Sequence, residues 1–270
     1  MGYESISPTA EASAHRIDTT HLLWTGGWDS TFRLLQLLLV ERVPVVPHYL
    51  RDPTRPSTDT ELATIARITE CVFAAYPRTR ALLRPLRVAA VEDIPTDPSL
   101  SDALGAVRKQ VYIGSQYAWL AAYCKQHRIG EMELSVHVDD KVHALLAPVS
   151  IAFHKRGGHR SIRIDPRTAG SPEHALFRFY SMPLFEHEKT RMGAEADARG
   201  WGPIMEMTWF CHSPAAGKPC GICGPCVYTI EEGLGRRVPR SRRALSFFYR
   251  HFARPVRSAL RGALHGASRA

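Results

Sequence analysis

The chain has 270 residues, of which 44% are hydrophobic, and a formal net charge of +9. This length is enough for one large α/β domain, or for one domain with a small appendage. No segment approaches the roughly 18 consecutive apolar residues that a membrane-spanning helix requires, and the polar N-terminus lacks the apolar centre of a signal peptide. We therefore expect a cytoplasmic protein.

The positive charge is concentrated near the C-terminus. Residues 236–270 contain ten arginines and no acidic residue, whereas the first 235 residues carry 25 basic and 26 acidic groups. Residues 1–20 mix Ser, Thr, Ala and charged residues without apolar periodicity, which predicts a disordered lead. The sequence thus predicts a nearly neutral body with a cationic tail.

Short apolar segments alternate with longer amphipathic ones along the body. Strands are predicted at 22–24, 45–50, 86–91, 133–138 and 161–165, and helices at 32–40, 59–75, 115–127, 141–146 and 188–199. Strands that alternate with helices of ten or more residues pair in parallel through right-handed crossovers. We therefore predict an α/β fold, an open and mostly parallel sheet with helices on both faces. Apart from its short strand, the segment 147–183 fits no regular pattern.

A glycine turn joins the first predicted strand to the first predicted helix. Gly26 and Gly27 allow successive backbone N–H groups to converge, and the positive N-terminal end of the helix points at the same place. Asp29 or Ser30 can cap that helix. No Lys follows the glycines, which excludes the phosphate loop of kinases and GTPases. The pattern indicates a phosphate-binding loop, and the alternative is an ordinary strand-to-helix turn. The predicted cofactor-binding residues are Leu23, Trp24, Thr25, Gly26, Gly27, Trp28, Asp29, Ser30 and Thr31.

Four of the six cysteines lie within sixteen residues, namely Cys211, Cys220, Cys223 and Cys226. In a cytoplasmic chain such clustering indicates a metal rather than disulfides. Four thiolates close a tetrahedral Zn²⁺ site and leave no open position, so its role would be structural. An iron–sulfur cluster is the rarer alternative. The other two, Cys71 and Cys124, are interpreted as buried thiols of the core.

A second dense group of candidate ligands follows the fourth predicted strand. It contains His137, Asp139, Asp140 and His143. Ligands bind at the carboxyl ends of strands in open parallel sheets, so Asp139 or Asp140 can contact magnesium or substrate. The alternative is that these two aspartates only cap the next helix.

Taken in chain order, three features look like the 7-cyano-7-deazaguanine synthase family of PP-loop ATP pyrophosphatases. They are the glycine loop, with Thr25 where Ser is usual, the pair Lys189-Thr190 after Pro183-Leu184, and Thr208-Trp209-Phe210 leading into the four-cysteine run. The resemblance covers about residues 21–232.

That resemblance implies an ATP-dependent, AMP-forming ligase with ATP, Mg²⁺ and Zn²⁺ as cofactors. Such an enzyme adenylates the carboxylate of 7-carboxy-7-deazaguanine, forms the amide with ammonia, and uses a second ATP to dehydrate the amide to the nitrile, a step of queuosine biosynthesis. The implied catalytic residues are Asp29, Ser30 and Lys189. Asp29 would otherwise be only a helix cap, and Lys189 only a solvated side chain.

The substrate side differs from the family pattern. The Arg-Asn pair usual before the helix at 115–127 is replaced by Ser115-Gln116, and the arginine usual after the last cysteine is absent from residues 227–232. An alternative is therefore a repurposed relative that joins an activated deazapurine or another acid to a different amine, in specialised metabolism, nucleic acid modification or phage defence. The candidate substrate contacts are Gln116, Asp139, Asp140, Trp209 and Phe210.

Two further alternatives remain: a tRNA thiolase, which needs a catalytic cysteine outside the metal set, and a non-catalytic, zinc-stabilised binding protein.

The residues predict four regions: the lead at 1–20, a PP-loop nucleotide-binding domain at 21–200, a zinc module at 201–235 and a basic amphipathic tail at 236–270. The tail is either an extra helix docked on the body or a binding segment for a protein partner, an anionic membrane surface or nucleic acid. A homodimer is a further expectation.

Overall fold

The computed structural model describes residues 19–155 and 157–253. The predicted disordered lead lies outside the described residues except for Thr19 and Thr20, and so does the tail from residue 254 onward. Among the described helices, none has both the length and the apolar character needed to cross a membrane.

A parallel sheet forms the centre of the fold. The described strands are β1 (Thr20–Leu23), β2 (Val45–Arg51), β3 (Arg87–Ala90), β4 (Met132–Glu133), β5 (Ser150–His154), β6 (Arg160–Ile164) and β7 (Tyr180–Ser181). Five of them pair in parallel in the order β3-β2-β1-β4-β7, and β5 and β6 form an antiparallel hairpin. The strand order reverses between β1 and β4. In open α/β sheets ligands bind at this reversal, beyond the carboxyl ends of the strands.

Helices cover both faces of the sheet, which confirms the predicted fold class. The α-helices among the described residues are α1 (Trp28–Leu35), α2 (Thr58–Ala75), α3 (Pro98–Arg108), α4 (Gln116–Gln126), α5 (Lys141–Leu146), α6 (Pro172–Phe177), α7 (Lys189–Ala198), α8 (Gly202–Glu206), α9 (Gly224–Thr229) and α10 (Arg240–Phe248). Three of them continue or end in π-helical turns, at Gln36–Glu41, Ile230–Leu234 and Tyr249–Ala253. Short 3-10 turns lie at Pro77–Ala81, Val91–Asp93, Ala147–Val149, Pro166–Thr168 and Gly235–Arg237.

Two hydrophobic cores lie on opposite sides of β1. Leu22 packs with α1, α2, α7 and α8, whereas its neighbour Leu23 packs against the core of α3, α4 and α6. Successive side chains of a strand point to opposite faces, so one short strand contributes to both cores. Ile204 and Met205 of α8 belong to the first core, although the sequence places them in the zinc module.

A buried ion network fixes α1 against β4. The Arg33 guanidinium donates to both carboxylate oxygens of Glu133, at 2.7 and 2.9 Å, and also pairs with Glu41. Lys155 of the hairpin lies 2.7 Å from Glu133. Burial alone raises the pKa of Glu133, but the charges of Arg33 and Lys155 hold it below its usual value. The C-terminal turn of α1 is therefore held in a defined position beside β4.

Most predicted elements are present with ends shifted by a residue or two, but the fourth strand is much shorter than predicted. It was expected at 133–138, and only Met132–Glu133 pairs as a strand. The Leu134 amide still donates to Ser181. Its other neighbour, β1, pairs with β4 only at His21 and Leu22 and leads into the glycine loop after Trp24, so the residues after Glu133 have no strand to pair with on that side.

Three elements, α3, β5 and α6, were not predicted from the sequence. Helix α3 begins with Asp97 as its N-cap, whose carboxylate accepts from the Ser99 amide, and with Pro98 in the first turn. Both are ordinary helix-start signals. The unassigned segment 147–183 contains β5, which pairs with the predicted strand near 161–165, and helix α6.

Candidate functional site

The glycine loop connects β1 to α1 at the reversal of strand order. The Trp24 amide donates to His48 of β2 at 2.9 Å, so the chain leaves the sheet only after Trp24. Gly26 has a φ of +70°, and a Cβ at this position would lie 3.1 Å from Ile65 Cγ1 of α2. Both the turn and the close approach to α2 therefore require glycine at position 26.

The start of α1 differs from the prediction. Gly27 is the N-cap residue and no side chain caps the helix. The prediction that Asp29 or Ser30 caps it was wrong, because both already lie in the first turn. The Ser30 hydroxyl is 3.4 Å from the Gly27 carbonyl. As a result, the Asp29 carboxylate is available to the cleft beside the helix.

The predicted cofactor-binding residues separate into three groups. Gly27, Trp28 and Asp29 line the cleft. Trp24 and Thr31 are fully buried, and the Trp24 indole N–H donates to the Thr31 hydroxyl at 3.0 Å. The Thr31 hydroxyl, which accepts this bond, therefore lies in the core and not in the cleft. Leu23, Thr25, Gly26 and Ser30 lie in or beside the turn without lining the cleft, and the phosphate-binding role of all these residues stays a prediction.

A cleft of about 520 Å³ opens at this edge of the sheet. The loop, the segment after β4, the start of α7 and the region around the four cysteines each contribute to its wall. All five predicted substrate contacts line it, namely Gln116, Asp139, Asp140, Trp209 and Phe210. So do the predicted catalytic residues Asp29 and Lys189. Side chains separated by more than 200 positions in the sequence therefore face one space.

Three carboxylates surround the His137 ring on one wall of the cleft. His137 Nε2 lies 3.7 Å from Asp29 and 3.7 Å from Asp140, and Nδ1 lies 3.6 Å from Asp139. The Asp140 carboxylate accepts from the His137 amide at 3.2 Å and makes no capping hydrogen bond to α5. Capping of α5 therefore does not account for its position.

The charge of this wall is incompletely compensated within the chain. Asp29 Oδ1 is buried and has no hydrogen-bond partner among the described residues. Burial, with a smaller contribution from the Asp29 charge, raises the pKa of Asp140. A hard divalent cation prefers carboxylate oxygens and would satisfy such an orphaned atom. The residues present thus fit a magnesium ion held by Asp29 and Asp140.

Lys189, at the start of α7, is the cation of this wall. Its Nζ lies 3.1 Å from Glu232 and 3.9 Å from Asp29, and its side chain is only 22% exposed. The interpretation as an ordinary solvated lysine does not fit this burial. Glu232 was not predicted, since it comes after the last cysteine and only the folded chain brings it to α7.

The four cysteines converge as predicted. Their Sγ atoms all lie within 4.8 Å of one another, and the pairs Cys220–Cys226 and Cys211–Cys223 are each 3.9 Å apart. Backbone amides of Cys220 and Cys223 donate to cysteine sulfurs at 3.2 and 3.3 Å. Hydrogen bonds with Cys211 and Cys226 lower the pKa of Cys223. This donor set fits one tetrahedral metal ion.

Trp209 links the metal cluster to the glycine loop. Its backbone amide donates to the Gly26 carbonyl at 2.9 Å, and its indole N–H donates to the Cys211 carbonyl at 2.7 Å. The Trp209 and Phe210 rings lie nearly parallel, with centroids 6.2 Å apart. A metal in the cluster would therefore hold both the loop and this aromatic wall.

The described part of the tail docks against the cysteine cluster. A Cβ on Gly221 would lie 2.4 Å from the Arg242 carbonyl of α10, so the helix backbone approaches the cysteine loop very closely. Leu245, Phe247 and Phe248 are exposed on α10. The docked-helix interpretation thus describes α10, while a protein, membrane or nucleic acid partner for the tail stays a prediction.

The two remaining cysteines lie away from the cleft. Cys124 is fully buried in the core of α3, α4 and α6, and burial raises its pKa to about 12. Cys71 packs against the opposite core. Neither lines the cleft.

Comparisons with known proteins add little to this geometry. No protein-family model matches the chain, and no curated protein matches it at a significant level. Among solved structures, the U34-tRNA thiolase NcsA from Methanococcus maripaludis, with its 4Fe-4S cluster, is similar with a TM-score of 0.41 and 11% sequence identity. The similarity covers 86% of this chain and 71% of that chain. At this level the likeness establishes no activity.

Proposed function

We propose that the protein is an ATP-dependent, AMP-forming ligase that activates a carboxylate by adenylation. One observation carries the proposal: a glycine loop at a helix N-terminus, an acidic wall with a buried lysine, and an aromatic wall held by a four-cysteine cluster all face the same cleft. In a parallel sheet this edge is where nucleotides bind.

The loop and α1 would bind the pyrophosphate end of ATP. Backbone amides at the start of α1 have no partners within the helix and point toward an anion placed beyond Gly27. Lys189, at the start of the neighbouring helix α7 and 3.9 Å from Asp29, would neutralise part of the phosphate charge. Because Lys189 already pairs with Glu232, it is held in place before the nucleotide arrives.

A magnesium ion would be held by Asp29 and Asp140, where it would screen the triphosphate from the acidic wall. The cleft carries the carboxylates of Asp29, Asp139, Asp140 and Glu232 against the cations Lys141, Lys189 and Arg237. The carboxylates outnumber the lysine and arginine side chains in this cleft, so a divalent cation would favour the binding of ATP.

In the proposed reaction a carboxylate oxygen of the substrate attacks the α-phosphorus of ATP. A new bond forms between oxygen and phosphorus, the bond to the β-phosphate oxygen breaks, and pyrophosphate leaves on the loop amides. An amine then attacks the carbonyl carbon of the acyl adenylate, AMP leaves with the carboxylate oxygen, and the amine loses a proton. The chain's contribution is to position the two substrates and to stabilise the departing pyrophosphate.

The substrate proposed first is 7-carboxy-7-deazaguanine, with ammonia as the amine. Support comes from the motif order in the sequence and from Trp209 and Phe210, whose rings offer a flat apolar wall for a heterocycle. Gln116 lines the cleft where the family carries Arg-Asn. That difference is the reason to keep, as a second candidate, a relative that joins another acid or another amine.

The metal proposed for the cluster is one Zn²⁺ with a structural role. Thiolates at about 2.3 Å from a tetrahedral ion are about 3.8 Å from each other. The two 3.9 Å sulfur pairs agree with that value. In a four-iron cluster each thiolate binds a different iron, so the four sulfurs would have to be further apart. No position is left open for chemistry at such a zinc.

Two alternatives have less support. A thiolase needs a reactive cysteine at the cleft, and the chain offers only buried Cys124 and half-buried Cys71 outside the cluster. A purely binding protein has no need for an acidic wall beside a phosphate loop. An Asp29→Ala variant that bound its ligand normally, with no turnover in either form, would nevertheless favour binding over catalysis.

The direct test is to incubate the protein with Mg²⁺, ATP, ammonium and 7-carboxy-7-deazaguanine, and to identify products by mass spectrometry. We expect AMP and pyrophosphate, with amide and nitrile. Asp29→Asn should abolish them, and the matched control Asp102→Asn, on the exposed surface of α3, should not.

The outcomes separate the candidates. AMP without amide or nitrile would indicate the repurposed relative, and other acids and amines would then be screened. Failure of the protein to bind ATP in the presence of Mg²⁺ would overturn the proposal altogether.

A further inference from the structure

One arginine of the basic tail is buried in the wall of the cleft. Arg237 ends the 3-10 turn after α9, and its side chain is only 6% exposed. Its guanidinium lies 5.0 Å from the centroid of the Phe210 ring, on the aromatic wall. The preceding residue, Arg236, is 62% exposed, pairs with Glu206 and does not line the cleft.

The positive charge of Arg237 is only weakly compensated by other groups among the described residues. Its Nη2 donates to the hydroxyl of Thr208 at 2.7 Å and to the Thr208 carbonyl. Among the described residues, the carboxylate within 4 Å is that of Glu206, at 3.8 Å from Nε, and Glu206 is already bound by Arg236. Burial lowers the pKa of Arg237. A buried cation without a close anion costs free energy, which an anionic ligand in the cleft would recover.

Arg237 lies on the aromatic wall of the cleft, which Trp209 joins to the glycine loop. The loop amides and Lys189 lie on the wall of α1 and α7, whereas Arg237 lies over Phe210 beside Trp209. With Nη2 bound to Thr208, the two N–H groups of Nη1 can donate to a carboxylate in charge-assisted hydrogen bonds. The aromatic faces next to it would stack on a ring that carries that carboxylate.

We propose that Arg237 binds the carboxylate of the acid substrate, so that the cleft selects planar aromatic acids over their neutral amides. This inference rests on the proposed function. It makes Arg237 the specificity-determining residue on the substrate side, supplied by the tail.

The test compares Arg237→Gln with Arg236→Gln, a matched loss of one positive charge one residue away. Calorimetric titrations measure binding of 7-carboxy-7-deazaguanine and of its neutral amide, with a non-hydrolysable ATP analogue and Mg²⁺ present. Indole-3-carboxylate and its amide serve as a second pair. Arg236→Gln should keep the wild-type preference for the acid. Arg237→Gln should lose about 10- to 100-fold of acid affinity, the range for one charged hydrogen-bond pair, with amide and nucleotide binding unchanged.

Each other outcome overturns the inference in an identifiable way. Equal weakening of acid and amide would show a structural role, and weakened nucleotide binding would assign Arg237 to phosphate. A wild-type protein that binds nucleotide without preferring the acid would refute the inference and leave the adenylating function intact. A wild type that binds no nucleotide would remove both. If Arg237→Gln does not fold, Arg237→Lys keeps the charge but not the planar guanidinium donors, and wild-type acid affinity in that variant would contradict the proposal.

Discussion

Substituting alanine for Gly26 tests whether the glycine loop has the geometry on which phosphate binding depends. Gly26 has a φ of +70°, and the left-handed conformation costs a residue with a Cβ about 1 to 2 kcal/mol. The new methyl carbon would also lie 3.1 Å from Ile65 Cγ1 and 3.4 Å from the Glu61 carbonyl oxygen. The loop must therefore move away from α2 by a few tenths of an ångström.

Gly200, which follows α7, provides a matched control. It has a φ of +71°, and a Cβ there would meet nothing within 4 Å. Gly200→Ala should thus carry the conformational strain alone. For a chain of this size a loss of 1 kcal/mol lowers the melting temperature by about 2 to 4 °C, so both variants should melt several degrees below wild type.

The assay is the rate of pyrophosphate release, corrected for the fraction of folded protein. We expect Gly200→Ala to match wild type and Gly26→Ala to fall about tenfold, because displacing catalytic groups by even 1 Å costs up to about a hundredfold. Wild-type pyrophosphate release by folded Gly26→Ala would refute the proposed role of the loop.

Three further predictions concern stability. His48 is fully buried, and burial lowers its pKa from 6.5 to about 3. The unfolded chain therefore binds this proton first as the pH falls, and stability should drop by about 2 kcal/mol between pH 6.5 and 4.5. Urea unfolding across that range should show a flatter dependence for His48→Gln, and parallel curves would contradict the assignment. Gly221→Ala should lower the melting temperature more than Gly217→Ala, because only Gly221 has a close neighbour, the Arg242 carbonyl at 2.4 Å. Equal melting temperatures would show that α10 does not dock as described. Elemental analysis should find one zinc per chain, lost together with thermal stability in Cys211→Ser; four irons per chain would contradict the mononuclear site.

The sequence predicted those parts of the site that depend on local order. The glycine loop, the four-cysteine run and the aspartates after β4 are each defined by neighbours a few residues apart, so pattern and spacing were sufficient. The parallel sheet followed from the alternation of apolar and amphipathic segments. The C-terminal end of β4 could not be predicted from this alternation, because it depends on where the neighbouring strand β1 turns away from the sheet.

Contacts between distant segments could not be predicted in the same way. The family resemblance implied Lys189, but nothing in the sequence indicates that Arg237, 48 positions further on, reaches the same cleft. Arg237 belongs to a run of arginines in the sequence. What distinguishes it from its neighbour Arg236 is the burial of its side chain in the folded chain. The capping roles considered for Asp29 and Asp140 failed for a related reason, since a preference for helix starts does not reveal what else the carboxylate faces.

The central claim is that a substrate carboxylate becomes joined to the α-phosphorus of ATP. The most direct measurement uses 7-carboxy-7-deazaguanine, or any other acid that supports AMP release, labelled with ¹⁸O in its carboxyl group. Mass spectrometry of the nucleotide product then reports which oxygen it carries. The account predicts AMP containing one ¹⁸O atom from the acid, in amounts equal to the pyrophosphate released. Unlabelled AMP, or ADP with inorganic phosphate, would contradict it.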